Sequence, residues 1–323
     1  MNAILFQSAN VLDVASLQLK TGQDVWVENG MIKSVGPHQA DVFIASGTKV
    51  IKAEGKTLMP GMIDCHVHVI AAHLNLNITA NQPNVFATLR ALPIMKGANQ
   101  IKIMASGGVA SPNDPIHYLG YSEAEIRAIV EEAEHTGTYV MAHAYTPKAI
   151  HRAVAFGVRS IEHGNLIDEA TANFMAEKNA YMVPTLITYE ALANEGESLG
   201  LPAVSVAKIE TVRSQGQKAL ELLAKVGVKM ALGSDLLGES HRHQSEELRI
   251  RANILGNGAA LQQATLNAAE LINMSGQLGV VKAGAIADLL LVNGNPLNDI
   301  SCLLGQGDHI EVIVKDGKIY KQA

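Results

Sequence analysis

Residues 138–163, TYVMAHAYTPKAIHRAVAFGVRSIEH, hold one full cycle of strand, loop, helix and strand. TYVMAHA (138–144) and RSIEH (159–163) are short runs that read as buried strands. Between them Thr146-Pro147 opens a helix with proline at its first turn, where a missing N–H costs nothing, and Gly157 closes it. A strand, a helical crossover and a second strand in this order are the unit of a parallel sheet. A histidine stands at or next to the end of each strand, His143 and His163, just before a loop.

The same rhythm extends in both directions. Six strand candidates stand out: GMIDCHVH (61–68), QIKIMAS (100–106), TYVMAHA, RSIEH, AYMVPTLI (180–187) and VKMALGSD (228–235). Ser122 and Glu125 make a capping box ahead of EIRAIVEEAEHTG, which Gly137 ends. The predicted fold is α/β: a TIM-like β/α barrel over 61–281, in which the C-terminal strand ends converge on one mouth. Polar, titratable residues sit at those ends, whereas helix-borne His135 and His151 do not.

The flanks read differently. AILFQ (3–7), DVWVENGMIKSV (24–35) and KVIKAEGKTLMP (49–60) are strand-like, with Asn29-Gly30 as a hairpin turn. ADLLLVNGNP (287–296) and IEVIVKDGKIYK (310–321) echo them, with Asp316-Gly317 as a second turn. Neither set can bury a face alone, so 1–60 and 282–323 are expected to join in one small β-sandwich.

Bulk properties narrow the function classes. The 323 residues carry 25 basic and 31 acidic side chains, a net charge of −6, with no basic patch for nucleic acid or an anionic membrane. A small molecule or peptide is the expected partner. The two cysteines, Cys65 and Cys302, make no disulfide framework and no CxxC motif, so a metal would be held by His, Asp, Glu or Lys. No run is long and apolar enough to span a bilayer, and the N-terminal stretch lacks the basic start of a secretory signal; a cytoplasmic protein is expected.

His66 and His68 flank Val67 at the end of an apolar run, so on a strand their side chains share a face and can chelate one ion. With His143 and His163 they place four imidazoles at strand ends, and neutral imidazole is a favoured ligand for zinc and similar ions. Asp235 ends VKMALGSD; it reads either as a helix N-cap or as a metal ligand that also accepts a proton from an activated water, and its company favours the second. Lys102 lies in an apolar strand, where lysine ordinarily marks an edge. Ile101 and Ile103 point the other way, however, and one face of a barrel strand is interior. Held near metals its amine would tend to be neutral, the form that takes up carbon dioxide as a carbamate. The loop SGGVASPNDP (106–115) has backbone freedom suited to a substrate loop. Arg152, Glu162 and the acidic part of HRHQSEELR read as surface or supporting groups, and His241 and His243 stand apart from the primary set.

These segments resemble the amidohydrolase superfamily, and within it the bacterial prolidase-like (Xaa-Pro dipeptidase) and imidazolonepropionase-related group. The likeness is carried by PGMIDCHVHV, QIKIMASGGVASPNDP, MAHAYTP, IEHGNLID, VPTLITYEALANEGE and LGSDLLGE. It implies a centre of two divalent ions, zinc being the expected metal: His66, His68 and Asp235 on one, His143 and His163 on the other, and Lys102 bridging as a carbamate. It further implies Asp235 as the catalytic proton carrier and Tyr145 as a substrate-binding tyrosine. The expected activity is cleavage of Xaa-Pro or similar dipeptides by metal-activated hydroxide.

Relatives of this kind place two further strand–helix units between the HxH strand and the lysine strand. Only 33 residues separate His68 from Lys102, room for about one crossover, such as NVFATLRALPIM (84–95). An incomplete, opened barrel with about six strands and exposed edges is therefore expected. Two readings compete with the dipeptidase: a cyclic-amide hydrolase or deaminase of the same superfamily, and a truncated, non-catalytic relative. Homo-oligomerisation is compatible with all three.

Overall fold

A computed structural model describes residues 3–40, 44–68, 100–110, 113–198, 200–201 and 203–323. The segment 84–95, read above as a crossover, lies outside the described residues. By internal contacts the chain divides into two compact units, Met1–Ile63 with Arg251–Ala323, and Asp64–Ile250.

The first unit is an eight-stranded sheet whose main path runs β13-β12-β11-β5-β1-β2-β3, with β4 also paired to β1. Its strands are β1 (Ala3–Asp13), β2 (Gln18–Glu28), β3 (Met31–Pro37), β4 (Lys49–Lys52), β5 (Thr57–Pro60), β11 (Leu289–Val292), β12 (Ile310–Lys315) and β13 (Lys318–Gln322). The pairing of β5 with β11 joins the two flanks, with Leu58 opposite Leu291 and Met59 opposite Leu290. Across the same seam the Thr57 hydroxyl donates to the Gly294 carbonyl at 2.6 Å. All four residues of β11 are buried, as an apolar run between two neighbours requires. Phe6, Val25, Leu58, Leu291 and Val312 belong to one core cluster.

Both hairpin turns form where the sequence places them, each with a pair of left-handed residues: Asn29 and Gly30, and Asp316 and Gly317. The turns also meet, because a Cβ on Gly317 would fall 2.5 Å from the Gly30 Cα.

The second unit contains a parallel sheet in the order β10-β9-β8-β7-β6. The strands are β6 (Gln100–Met104), β7 (Tyr139–Ala144), β8 (Ser160–His163), β9 (Tyr181–Val183) and β10 (Lys229–Met230). The described helices between them are α1 (Glu123–His135), α2 (Pro147–Ala155), α3 (Glu169–Glu177), α4 (Leu186–Glu195) and α5 (Ala203–Val226). The start signals hold: Ser122 and Glu125 form a reciprocal capping box on α1, and Thr146 caps α2 ahead of Pro147. No helix of the described residues is long and apolar enough to cross a membrane.

Three predicted strands are shorter than the sequence suggests, or are not strands. Residues 61–68 form no regular strand, because the Asp64 carboxylate accepts the backbone N–H of His66 (3.0 Å) and of Ser234 (3.1 Å), groups that a ladder would otherwise engage. The segment is tied instead by single bonds, Cys65 N–H to Leu232 O and Asp235 N–H to His66 O, both 2.8 Å. In AYMVPTLI the strand stops at Val183, before Pro184, and Leu186 already begins α4. In VKMALGSD regular pairing covers only Lys229 and Met230.

Gly317→Ala is expected to cost about 2–4 kcal/mol, the left-handed penalty plus displacement of the Gly30 backbone. Gly22, also left-handed at φ 60° but with open space around it, should cost only about 1–2 kcal/mol as alanine. Chemical unfolding of the two variants checks the order; equal losses would mean that the turn-to-turn contact contributes nothing.

Candidate active site

The strand ends of β6, β7 and β8 and the segment around His66 carry the polar residues. Parallel register aligns Met104 with His143 and His143 with Glu162, so Lys102, His143 and Glu162 share one face of the sheet. His163 would point away by simple alternation. Its backbone takes φ 77°, a left-handed conformation rare for non-glycine residues, and its ring comes within 4.5 Å of the His143 ring, centroid to centroid. Asp235 is also left-handed, at φ 52°.

Asp235 gathers the site. Its Oδ1 lies 2.9 Å from His66 Nε2 and 2.8 Å from His68 Nε2, and its Oδ2 lies 3.8 Å from His163 Nδ1. Lys102 Nζ stands 3.2 Å from His66 Nε2. Potential ligand atoms of His66, His68 and Asp235 fall within 4.8 Å of one another. His143 and His163 stand outside that tight trio, although the His66 and His163 ring centroids are only 5.1 Å apart. His66 is 4% exposed and His68 46%, so solvent reaches the group through His68.

Three imidazoles are held by a partner on the nitrogen turned away from the centre or along its rim. His66 Nδ1 lies 2.7 Å from Glu162 Oε2, His143 Nε2 lies 3.0 Å from the Gly107 carbonyl, and His163 Nδ1 lies 2.8 Å from Thr185 Oγ1. Donation through these nitrogens leaves the lone pair on the other one, which orients a ligating histidine.

The charges are strongly coupled. Burial, the largest single influence, would lower the His66 pKa, but the Asp235 charge and the hydrogen bonds to Asp235 and Glu162 together outweigh it and raise the value to about 9. Burial would raise Asp235, yet His66 and its hydrogen bond hold the carboxyl well below the usual range. Burial and the Lys102 charge press His143 down to about 4, and burial with the neighbouring His143 holds His163 well below the usual histidine range. Lys102 counts as exposed by area, but the protein crowded around its amine depresses its pKa against the pull of Glu162 and Asp235.

Tyr145 is 1% exposed, stacked on His163 at 5.3 Å and edge-on to His143 at 4.7 Å. Its oxygen accepts from the Tyr189 hydroxyl at 3.2 Å and from the Val109 N–H. Burial pushes the phenol pKa well up, so it stays neutral.

Sequence reasoning passed over Asp64 and left Glu162 between a surface and a supporting place. Glu162 is fully buried and bonded to His66, not at the surface. Asp64 holds His66 and Ser234 and accepts from the Gln244 amide at 2.7 Å. His243 pairs instead with Glu195 at 2.9 Å. Lys208 bonds the described part of the predicted substrate loop, its ammonium donating to the Asp114 carbonyl at 2.8 Å.

A fold and site of this kind define a superfamily, and the chain belongs to it: residues 69–320 match the amidohydrolase family. A prolidase crystallised with N-methylphosphonate-L-proline superposes with a TM-score of 0.95 at 41% identity, covering 100% of both chains. Ochratoxinase of Aspergillus niger is 32% identical over 232 residues, 71% of this chain and 48% of that protein. Adenine deaminase of Listeria welshimeri serovar 6b is 24% identical over 351 residues, 97% of this chain and 58% of that protein. The chain thus spans about half the length of the curated relatives it matches.

Gly233 lets the end of the last strand close on the site, since a Cβ there would meet Val183 Cγ1 at 2.4 Å and His66 Cβ at 2.9 Å. Gly233→Ala is expected to lower stability by about 1–3 kcal/mol through overpacking. A thermal melt superimposable on that of the parent would refute the close approach.

Proposed function

We propose that this chain is a metal-dependent amidohydrolase that cleaves the C–N bond of Xaa-Pro or similar dipeptides. The observation that carries the reading is the Asp235 carboxylate shared between His66 and His68 beside the Lys102 amine. The likeness to a prolidase at 41% identity over the whole chain supports the substrate class.

The donor set fits a divalent ion of the zinc kind: imidazole nitrogens and a carboxylate, with the far nitrogen of His66 held by a buried acid. His66, His68 and Asp235 would hold one ion, and His143 and His163 a second. Depressed basicity suits Lys102 to react as a neutral amine with carbon dioxide, and the resulting carbamate would add oxygen donors between the two. Bound ions supply Lewis acidity, which brings water towards ionisation at neutral pH and polarises a carbonyl.

The remaining work falls to the side chains. Asp235 accepts the proton released by the attacking water and returns it to the leaving nitrogen, which for an Xaa-Pro bond is the proline amine. Tyr145 accepts two hydrogen bonds at its oxygen and keeps its own proton to donate to the substrate carboxylate or carbonyl. The resemblance to ochratoxinase supports ochratoxin as a second substrate at the same centre.

Metal analysis and a panel of Xaa-Pro dipeptides, other dipeptides and ochratoxin test the reading. Metal-loaded protein should hydrolyse the Xaa-Pro group best, chelation should abolish the activity, and Asp235→Asn should cut kcat about 10²–10⁴-fold. No hydrolysis by loaded protein, with the Asp235→Asn variant indistinguishable, would overturn it.

A further inference from the structure

We infer that Glu162, backed by Ser160, is a positioning residue that fixes the His66 ring with Nε2 presented to the cation site. The inference rests on the metal-dependent reading above and turns the buried acid behind His66 into a defined, testable role shared with Ser160.

Glu162 lies on β8 one position before His163, yet both reach the same region, because the left-handed backbone of His163 breaks the alternation of the strand. One strand thereby delivers a candidate ligand and a support for another candidate ligand 96 positions away. The carboxylate is 0% exposed and its ring partner 4%, so water does not replace either bond. A carboxylate removed from water costs several kcal/mol unless both oxygens are satisfied. Among the described residues those partners are the Ser160 hydroxyl on Oε1 at 2.9 Å and His66 Nδ1 on Oε2 at 2.7 Å.

The side of the ring that Glu162 engages separates this role from ligation. Oε2 meets Nδ1, while Asp235 Oδ1 and Lys102 Nζ gather at Nε2. Glu162 therefore accepts the Nδ1 proton and holds the ring so that, once an ion displaces the proton Nε2 shares with Asp235, the Nε2 lone pair would face that ion. Ser160, on the same strand and face, keeps the carboxylate from rotating away by occupying its other oxygen.

The experiment uses the full chain loaded with cobalt(II), which reports coordination through its visible spectrum. Affinity is read by competition with a chromogenic chelator, and folding by thermal melting. Glu162→Ala should weaken cobalt binding about 10–100-fold and alter the spectrum. Glu162→Gln, which still accepts through its amide oxygen, should recover part of the affinity, and Ser160→Ala should show a smaller loss than Glu162→Ala.

Should Glu162→Ala fail to fold, the near-isosteric Glu162→Gln decides: parental affinity with a parental spectrum overturns the role. The same result in a folded Glu162→Ala also overturns it. A parent chain that binds no cobalt would bring down the metal-dependent reading itself, an outcome distinct from a parent that binds and variants that bind equally well.

Discussion

The Asp64 carboxylate holds together the two segments on which the site depends. It accepts the N–H of His66 on one side and the N–H and hydroxyl of Ser234 on the other, 170 positions away in the chain. His66 and Asp235 are the immediate beneficiaries. Their side chains meet at 2.9 Å, and the Asp235 N–H donates to the His66 carbonyl at 2.8 Å. A fixed backbone on both sides of a charged contact spares the entropy of ordering it, so the site is organised before any ligand arrives.

From that clamp the electrostatics follow. Two acids, Glu162 and Asp235, bracket one imidazole, while the other buried histidines sit near the Lys102 ammonium and are driven towards the neutral form. Carboxylate charge and imidazole nitrogens are thereby collected on one side of a sheet, with His66 holding its proton between the two acids. Tyr145 adds a stacked apolar wall that restrains the His163 ring without offering a competing charge.

Much of this was legible in the sequence, for reasons that can be stated residue by residue. The turns at Asn29-Gly30 and Asp316-Gly317, the capping box at Ser122 and the proline start after Thr146 are local signals, and local geometry obeys them. His66, His68 and Asp235 were identifiable because polar residues at the ends of apolar runs are costly without a partner, and Lys102 because it interrupts an apolar strand. Glu162 stayed open between surface and supporting group, since a single acid in a strand can be placed only when its partner in a distant segment is known. Asp64 was hidden in the same way. The apolar run after Val183 read as continued strand although Leu186 starts a helix, an ambiguity that short apolar stretches cannot resolve by periodicity.

The seam between β5 and β11 has a consequence for the order of events during synthesis. The Thr57 and Gly294 groups that bond across it lie 237 positions apart, so β5 leaves the ribosome long before its neighbour exists. Until then its outer edge is an unsatisfied template of backbone donors and acceptors, open to pairing with other nascent chains. The parallel sheet of the second unit is encoded wholly between those two strands and can form first. A translational pause before Leu289 would prolong the exposed interval, which makes the tempo of elongation, as much as the finished contacts, a determinant of yield.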